Sequence, residues 1–110
     1  MSERMHLPNR RGAVAISFTH RDQLFRAHVG YFADGGVAEM FLDAARPDSA
    51  LDAFAADAAI LISLLLQRGS SPAEIGHALR RAADGSPASL IGAAIDQLQA
   101  MERDDDGGER

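Results

Sequence analysis

Val14, Ile16 and Phe18 alternate with Ala13, Ala15 and Ser17. That two-residue period is the mark of a half-buried strand and predicts one over residues 13–18. Thr19-His20-Arg21-Asp22 reads as a polar turn. Gln23–Phe32 and Val37–Asp43 are the next two strands. Asp34-Gly35-Gly36 between them signals a hairpin, because glycine after aspartate suits the positive φ of a tight turn. With Asp34-Gly35 as a two-residue loop, Phe32 stands opposite Val37, Tyr31 opposite Ala38, Val29 opposite Met40 and Ala27 opposite Leu42. In that register Phe25, Ala27, Val29, Tyr31, Ala38, Met40 and Leu42 share the core face. Arg26, His28, Phe32, Val37, Glu39, Phe41 and Asp43 share the other, with Arg26 across from Asp43 as a cross-strand ion pair.

The pattern then changes to that of a helix over residues 48–67. Alanine and leucine, the strongest helix formers, dominate it. Asp48 or Ser49 caps its start, with Asp52 placed as in a capping box, and Gly69 ends it. Between Ala58 and Leu66 only Ser63 is polar, so this helix is expected to be buried on several sides. Asp52 and Asp57 interrupt it, and the apolar stretch is shorter than a bilayer crossing requires. Ser71-Pro72-Ala73-Glu74 predicts a second helix, stopped by Asp84-Gly85. Ser86-Pro87 predicts the start of a third, whose inner face is Leu90, Ile91, Ala94, Ile95, Leu98 and Met101. The expected fold is α+β in the order β-β-β-α-α-α. A three-stranded antiparallel meander packs on the long central helix, and the two later helices cover the helix's other side. Residues 1–12 read as an extended basic segment, 13–102 as one domain, and 103–110 as an acidic disordered tail.

Composition narrows the chemistry. The 110 residues hold no cysteine, which rules out a disulfide, a thiolate metal site and thiol catalysis. The net charge of −5 and the absence of lysine argue against nucleic acid as a main partner. No signal or transit pattern precedes the first strand, so a cytoplasmic location with no membrane is expected.

Three groups of residues are candidates for function. Asn9, Arg10 and Arg11 suit a phosphate or carboxylate, since guanidinium forks match both; alternatively they are a solvated basic segment paired with the acidic tail. Asp57 lies in an apolar helix and needs a partner if buried, such as a backbone N–H or one of those arginines. Arg26, His28, Phe32, Glu39 and Phe41 share a sheet face. Aromatic residues among polar ones read as an interface for a partner or a second copy, and a Glu39–His28 acid–base pair is the rival reading. The four histidines lack metal-site spacing, so no metal ligands are assigned. No catalytic residue is assigned either.

Taken in order, several segments resemble the TSCPD domain family. They are Leu7-Pro8-Asn9-Arg10-Arg11, the run Phe32-Ala33-Asp34-Gly35-Gly36 through Leu42, Asp57-Ala58-Ala59 through Gly69, and Ile91-Gly92-Ala93-Ala94-Ile95-Asp96. The likeness covers roughly residues 7–100 and is nearest to short stand-alone members from alphaproteobacteria. Longer relatives are the C-terminal domains of adenosylcobalamin-dependent, class II ribonucleotide reductases. One departure stands out: where the family carries Thr-Ser-Cys-Pro-Asp, this chain reads Gly85-Ser86-Pro87-Ala88. The resemblance implies an accessory or binding module for a reductase subunit, in deoxyribonucleotide synthesis. It implies anion or nucleotide contact at Asn9, Arg10 and Arg11. Adenosylcobalamin belongs to the large relatives, and no cofactor is expected in this chain. Ribonucleotide reduction needs a thiyl radical and a reducing cysteine pair, so a cysteine-free chain does not catalyse it alone. The alternatives are a small nucleic-acid- or nucleotide-binding domain and a structural homo-oligomer.

Overall fold

Period-two alternation puts Phe18, Phe25, Ala27, Val29, Met40 and Leu42 on one face of a sheet, and all six are buried. The computed structural model describes residues 13–108. Its elements are β1 Ala13–His20, β2 Gln23–Tyr31, β3 Val37–Ala44, α1 Ala50–Gln67, α2 Pro72–Ala78 and α3 Leu90–Gly108. The sheet is an antiparallel meander ordered β1-β2-β3, so the α+β arrangement matches the one expected. Ala55, Ala59, Ile62 and Leu66 of α1, with Leu90, Ala94, Ile95 and Leu98 of α3, complete the core. Both long helices therefore serve the same face of the sheet.

The β2–β3 connection differs from expectation. Phe32 N–H donates to the Gly36 carbonyl at 2.8 Å and Gly35 N–H to the Phe32 carbonyl at 2.9 Å. This closes a three-residue loop, Ala33-Asp34-Gly35, rather than a two-residue one, with Gly35 at φ +97° in the glycine-favouring region. The extra residue is absorbed as an irregularity between Gly30 and Tyr31, so Tyr31 pairs with Val37 instead of Ala38. Phe32 and Val37 consequently turn inward and are buried at 3% and 2% exposure. Below the bulge the register is the expected one, with Val29 against Met40 and Ala27 against Leu42.

The same turn recurs. Ala82 N–H donates to the Ser86 carbonyl at 2.8 Å and Gly85 N–H to the Ala82 carbonyl at 2.9 Å. Asp34 and Asp84 each accept, at 2.9 Å, the amide two residues on. The Ser86 hydroxyl donates to Asp84 as well, at 2.6 Å, and holds that carboxyl below the usual range. Ala-Asp-Gly is thus one local solution used twice. Its second use shortens α2, which ends at Ala78 rather than at Asp84-Gly85. It also moves the start of α3. Ser86 and Pro87 are engaged in the turn and in a bridge to Arg81, so Ser89 takes over, its hydroxyl accepting from Gly92 N–H at 3.1 Å. At its far end α3 continues through Asp104-Asp105-Asp106, where a tail was expected, and is described as far as Gly108. Extension of a formed helix costs little per added residue.

α1 lies along β3 and closes its outer edge. Ser63, buried at 7% exposure, accepts from Met40 N–H at 2.8 Å and donates to the Met40 carbonyl at 2.9 Å. Gln67 donates to the Ala38 carbonyl at 3.3 Å, and Glu102 of α3 accepts from Val37 N–H at 3.0 Å. Ser49 caps α1 by accepting from Asp52 N–H. The Asp52 carboxylate does not return the bond as a capping box would. It accepts instead from Ala44 N–H at 2.9 Å and Asp48 N–H at 3.3 Å, tying the helix start to the strand end. Asp52→Ala is expected to lower stability by about 1–2 kcal/mol. A lower urea midpoint with unchanged far-UV circular dichroism would show it, and an unmoved midpoint would refute the tie.

This placement corrects the expectation that α1 is walled in on several sides. α2 and α3 pack mainly on each other, with Gly76 allowing the approach: a Cβ there would meet Gln99 Nε2 at 2.6 Å. They leave the far side of α1 uncovered, and Phe54, Ile60, Leu61, Leu64 and Leu65 are exposed along it. By length and composition α1 is long and apolar enough to cross a membrane, contrary to the sequence expectation. Its Asp52, Ser63 and Gln67 side chains are instead bonded to β3.

Candidate functional site

The sheet face opposite the core carries the side chains that alternate outward. Register arranges them in rows across the strands: Ser17, Arg26 and Asp43; Ala15, His28 and Phe41; then Gly30 and Glu39. Thr19 and Leu24 form a shorter row at the β1–β2 end. Of the five interface candidates, four meet here: Arg26, His28, Glu39 and Phe41. The fifth, Phe32, does not. The three-residue loop buries it in the core side, so it is unable to present an aromatic surface.

The charges pair differently from expectation. Asp43 lies across from Arg26 in register, yet its carboxylate takes His28 Nε2 at 3.3 Å, a diagonal contact one row away. Both side chains are substantially solvated, so the pair contributes little to stability. Glu39 folds over Gly30, where a Cβ would stand 2.9 Å from Glu39 Oε2. His28 is thus engaged with Asp43 and Glu39 with the glycine opposite it. The geometry assembles a mixed-charge surface around Phe41, which is 47% exposed. Chemically it suits a partner that brings an apolar contact and ions of both signs.

A concavity of about 320 Å³ opens at one end of this face, lined by Ser17, Leu24, Phe25, Arg26, Asp43, Ala44 and Ala45. Ser17 and Leu24 were not among the residues singled out from sequence. The alternation of β1, paired on paper with β2 as β3 was, carries the signal that finds them.

The remaining candidates lie elsewhere. Asn9, Arg10 and Arg11 are outside the described residues. Asp57 is exposed on the outward side of α1, so the cost of burying its carboxylate does not arise. Gly85-Ser86-Pro87-Ala88 belongs to and follows the second Ala-Asp-Gly turn. Arg81 pins that turn: it donates to the Gly85 carbonyl at 3.2 Å and forks onto Asp96 of α3 at 2.7 and 3.1 Å. The Asp96 hydrogen bonds raise the Arg81 pKa further. Among the described residues no group of three or more His, Asp or Glu is placed to hold a metal ion.

Among the described residues the fold and this face define a small α+β domain with one side of its sheet open. Compared with family models, curated proteins and solved structures, the chain matches none of them.

Proposed function

We propose that the protein is a non-catalytic binding module that docks a partner protein on its open sheet face, the partner being a ribonucleotide reductase subunit. One observation carries the docking reading. Arg26, His28, Phe41 and Asp43 stand in adjacent rows on a sheet face that no described element covers, with an exposed aromatic among charges of both signs. Interfaces are enriched in such aromatic and arginine anchors. The identity of the partner rests on the resemblance to the TSCPD family alone. In that reading Asn9, Arg10 and Arg11 contact an anionic or nucleotide group, and adenosylcobalamin stays with the large subunit. Glu39 and Asp43 on the same face weigh against the nucleic-acid alternative, since they repel phosphates.

The test is a pull-down of the tagged protein from its own cell extract, read by mass spectrometry. An Arg26→Ala/Phe41→Ala variant and an Arg10→Ala/Arg11→Ala variant run beside it. Recovery of a reductase subunit with the parent protein, lost with Arg26→Ala/Phe41→Ala, is the expected result. Equal recovery with that variant would remove the sheet face from the proposal, and recovery of no reductase subunit would remove the partner.

A further inference from the structure

We infer that the outward face of α1 is the contact surface of a symmetric homodimer, in which two copies lay this helix antiparallel against each other. Phe54, Ile60, Leu61, Leu64 and Leu65 occupy one arc of the helix and are 45–63% exposed. Together they present on the order of 500 Å² of apolar surface, the upper end of what a monomer leaves in one patch. Phe54, Leu61 and Leu65 follow the three-and-four spacing of a helix seam, with Asp57 and Arg68 on the same side.

Charge selects the occupant. Asp57 and Arg68 are both exposed and lie about three turns apart on one side of the helix. An antiparallel second copy brings its Arg68 beside Phe54 and Asp57 of the first, and the two-fold axis repeats that contact at the other end. Leu61, Leu64 and Leu65 then meet in the middle. The face is therefore complementary to itself, the condition for an isologous interface. A lipid surface fits less well, because interfacial helices flank their apolar side with several cations, whereas this face holds one acid and one base. Two copies bury about 1,000 Å² from these five side chains, and the flanking Ala58, Asp57 and Arg68 bring the total near the lower bound of specific interfaces. A dimer that dissociates in the micromolar range is expected.

Sedimentation equilibrium of the full chain over a range of concentrations tests this. The mass is expected to rise toward twice the 11.7 kDa of one chain. Leu61→Glu, at a position 63% exposed, is expected to keep the circular dichroism and weaken association by at least about tenfold. Asp57→Arg alone and Arg68→Asp alone each weaken it, and the two together restore it. Because the chain has no cysteine, Leu61→Cys is expected to cross-link two copies on oxidation, whereas Ala15→Cys on the open sheet face is not. A single-chain mass at every concentration overturns the proposal. So does a Leu61→Glu variant that associates like the parent, or a cross-link confined to Ala15→Cys. Arg26→Ala/Phe41→Ala leaves the mass unchanged, which separates this surface from the sheet face.

Discussion

Phe25→Ala is expected to be the most damaging single substitution in the sheet, costing about 3–5 kcal/mol. Phe25 is 1% exposed and stacks on Phe18 at 5.6 Å between ring centroids. It sits in the central strand, with Phe18 of β1 on one side and Ala44 of β3 on the other. No neighbouring element is free to slide into the space, because β2 is held by ladders on both sides. The loss therefore combines the transfer of an aromatic ring with an unfilled cavity. Domains of this size are stable by about 5–15 kcal/mol, so the variant keeps a small margin or none. Urea unfolding followed by far-UV circular dichroism measures it. A midpoint shift worth less than about 1 kcal/mol would show that the core relaxes around the gap.

Ser63→Ala is the second large effect, and its mechanism is different. The hydroxyl is the partner of both polar backbone groups of Met40, and Met40 itself is fully buried. Removing one oxygen atom leaves a buried N–H and a buried C=O without that partner, at about 1–3 kcal/mol for each group. Alanine is otherwise the better helix former, so the helix scale alone predicts a gain. The sign of the measured change thus decides between a local and a tertiary account. Hydrogen exchange adds a positional readout: the Met40 amide is expected to lose protection more than the amides of β2. Unchanged exchange at Met40 would refute the bond.

Much of the fold was legible because period alone decides which side of a strand is buried. Phe25, Ala27, Val29, Met40 and Leu42 illustrate it, and their register was readable on paper. The error at Phe32 and Val37 came from loop length. Asp-Gly suits both two- and three-residue turns, and only the recurrence of Ala-Asp-Gly at residues 83–85 hints that one geometry is preferred. The over-burial of α1 has another cause. A run of apolar residues tells how much surface asks for cover, not what supplies it; Phe54 and Leu61 are residues that no described element covers. Ser63 is the lone polar residue in that run, and the sequence assigns it no role, because its partner is backbone on another element and leaves no mark on the sequence. The open-face cluster was visible at Arg26, His28, Glu39 and Phe41 by alternation. The choice of His28 over Arg26 as the partner of Asp43 was not, since side-chain reach decides it rather than register.

The helix that seals β3 also governs how this protein misassembles. Strand-by-strand growth into a fibre needs two open edges, so that each added copy offers a new one. Here side chains of α1 already occupy the outward backbone groups of Met40, Ala38 and Ala44. Among the described residues, the edge left for strand pairing between copies is that of β1. Two such copies consume each other's edge and form a closed six-stranded pair. Strand pairing by itself therefore stops at two native copies, and a fibre built on a continuous sheet requires α1 to come away first.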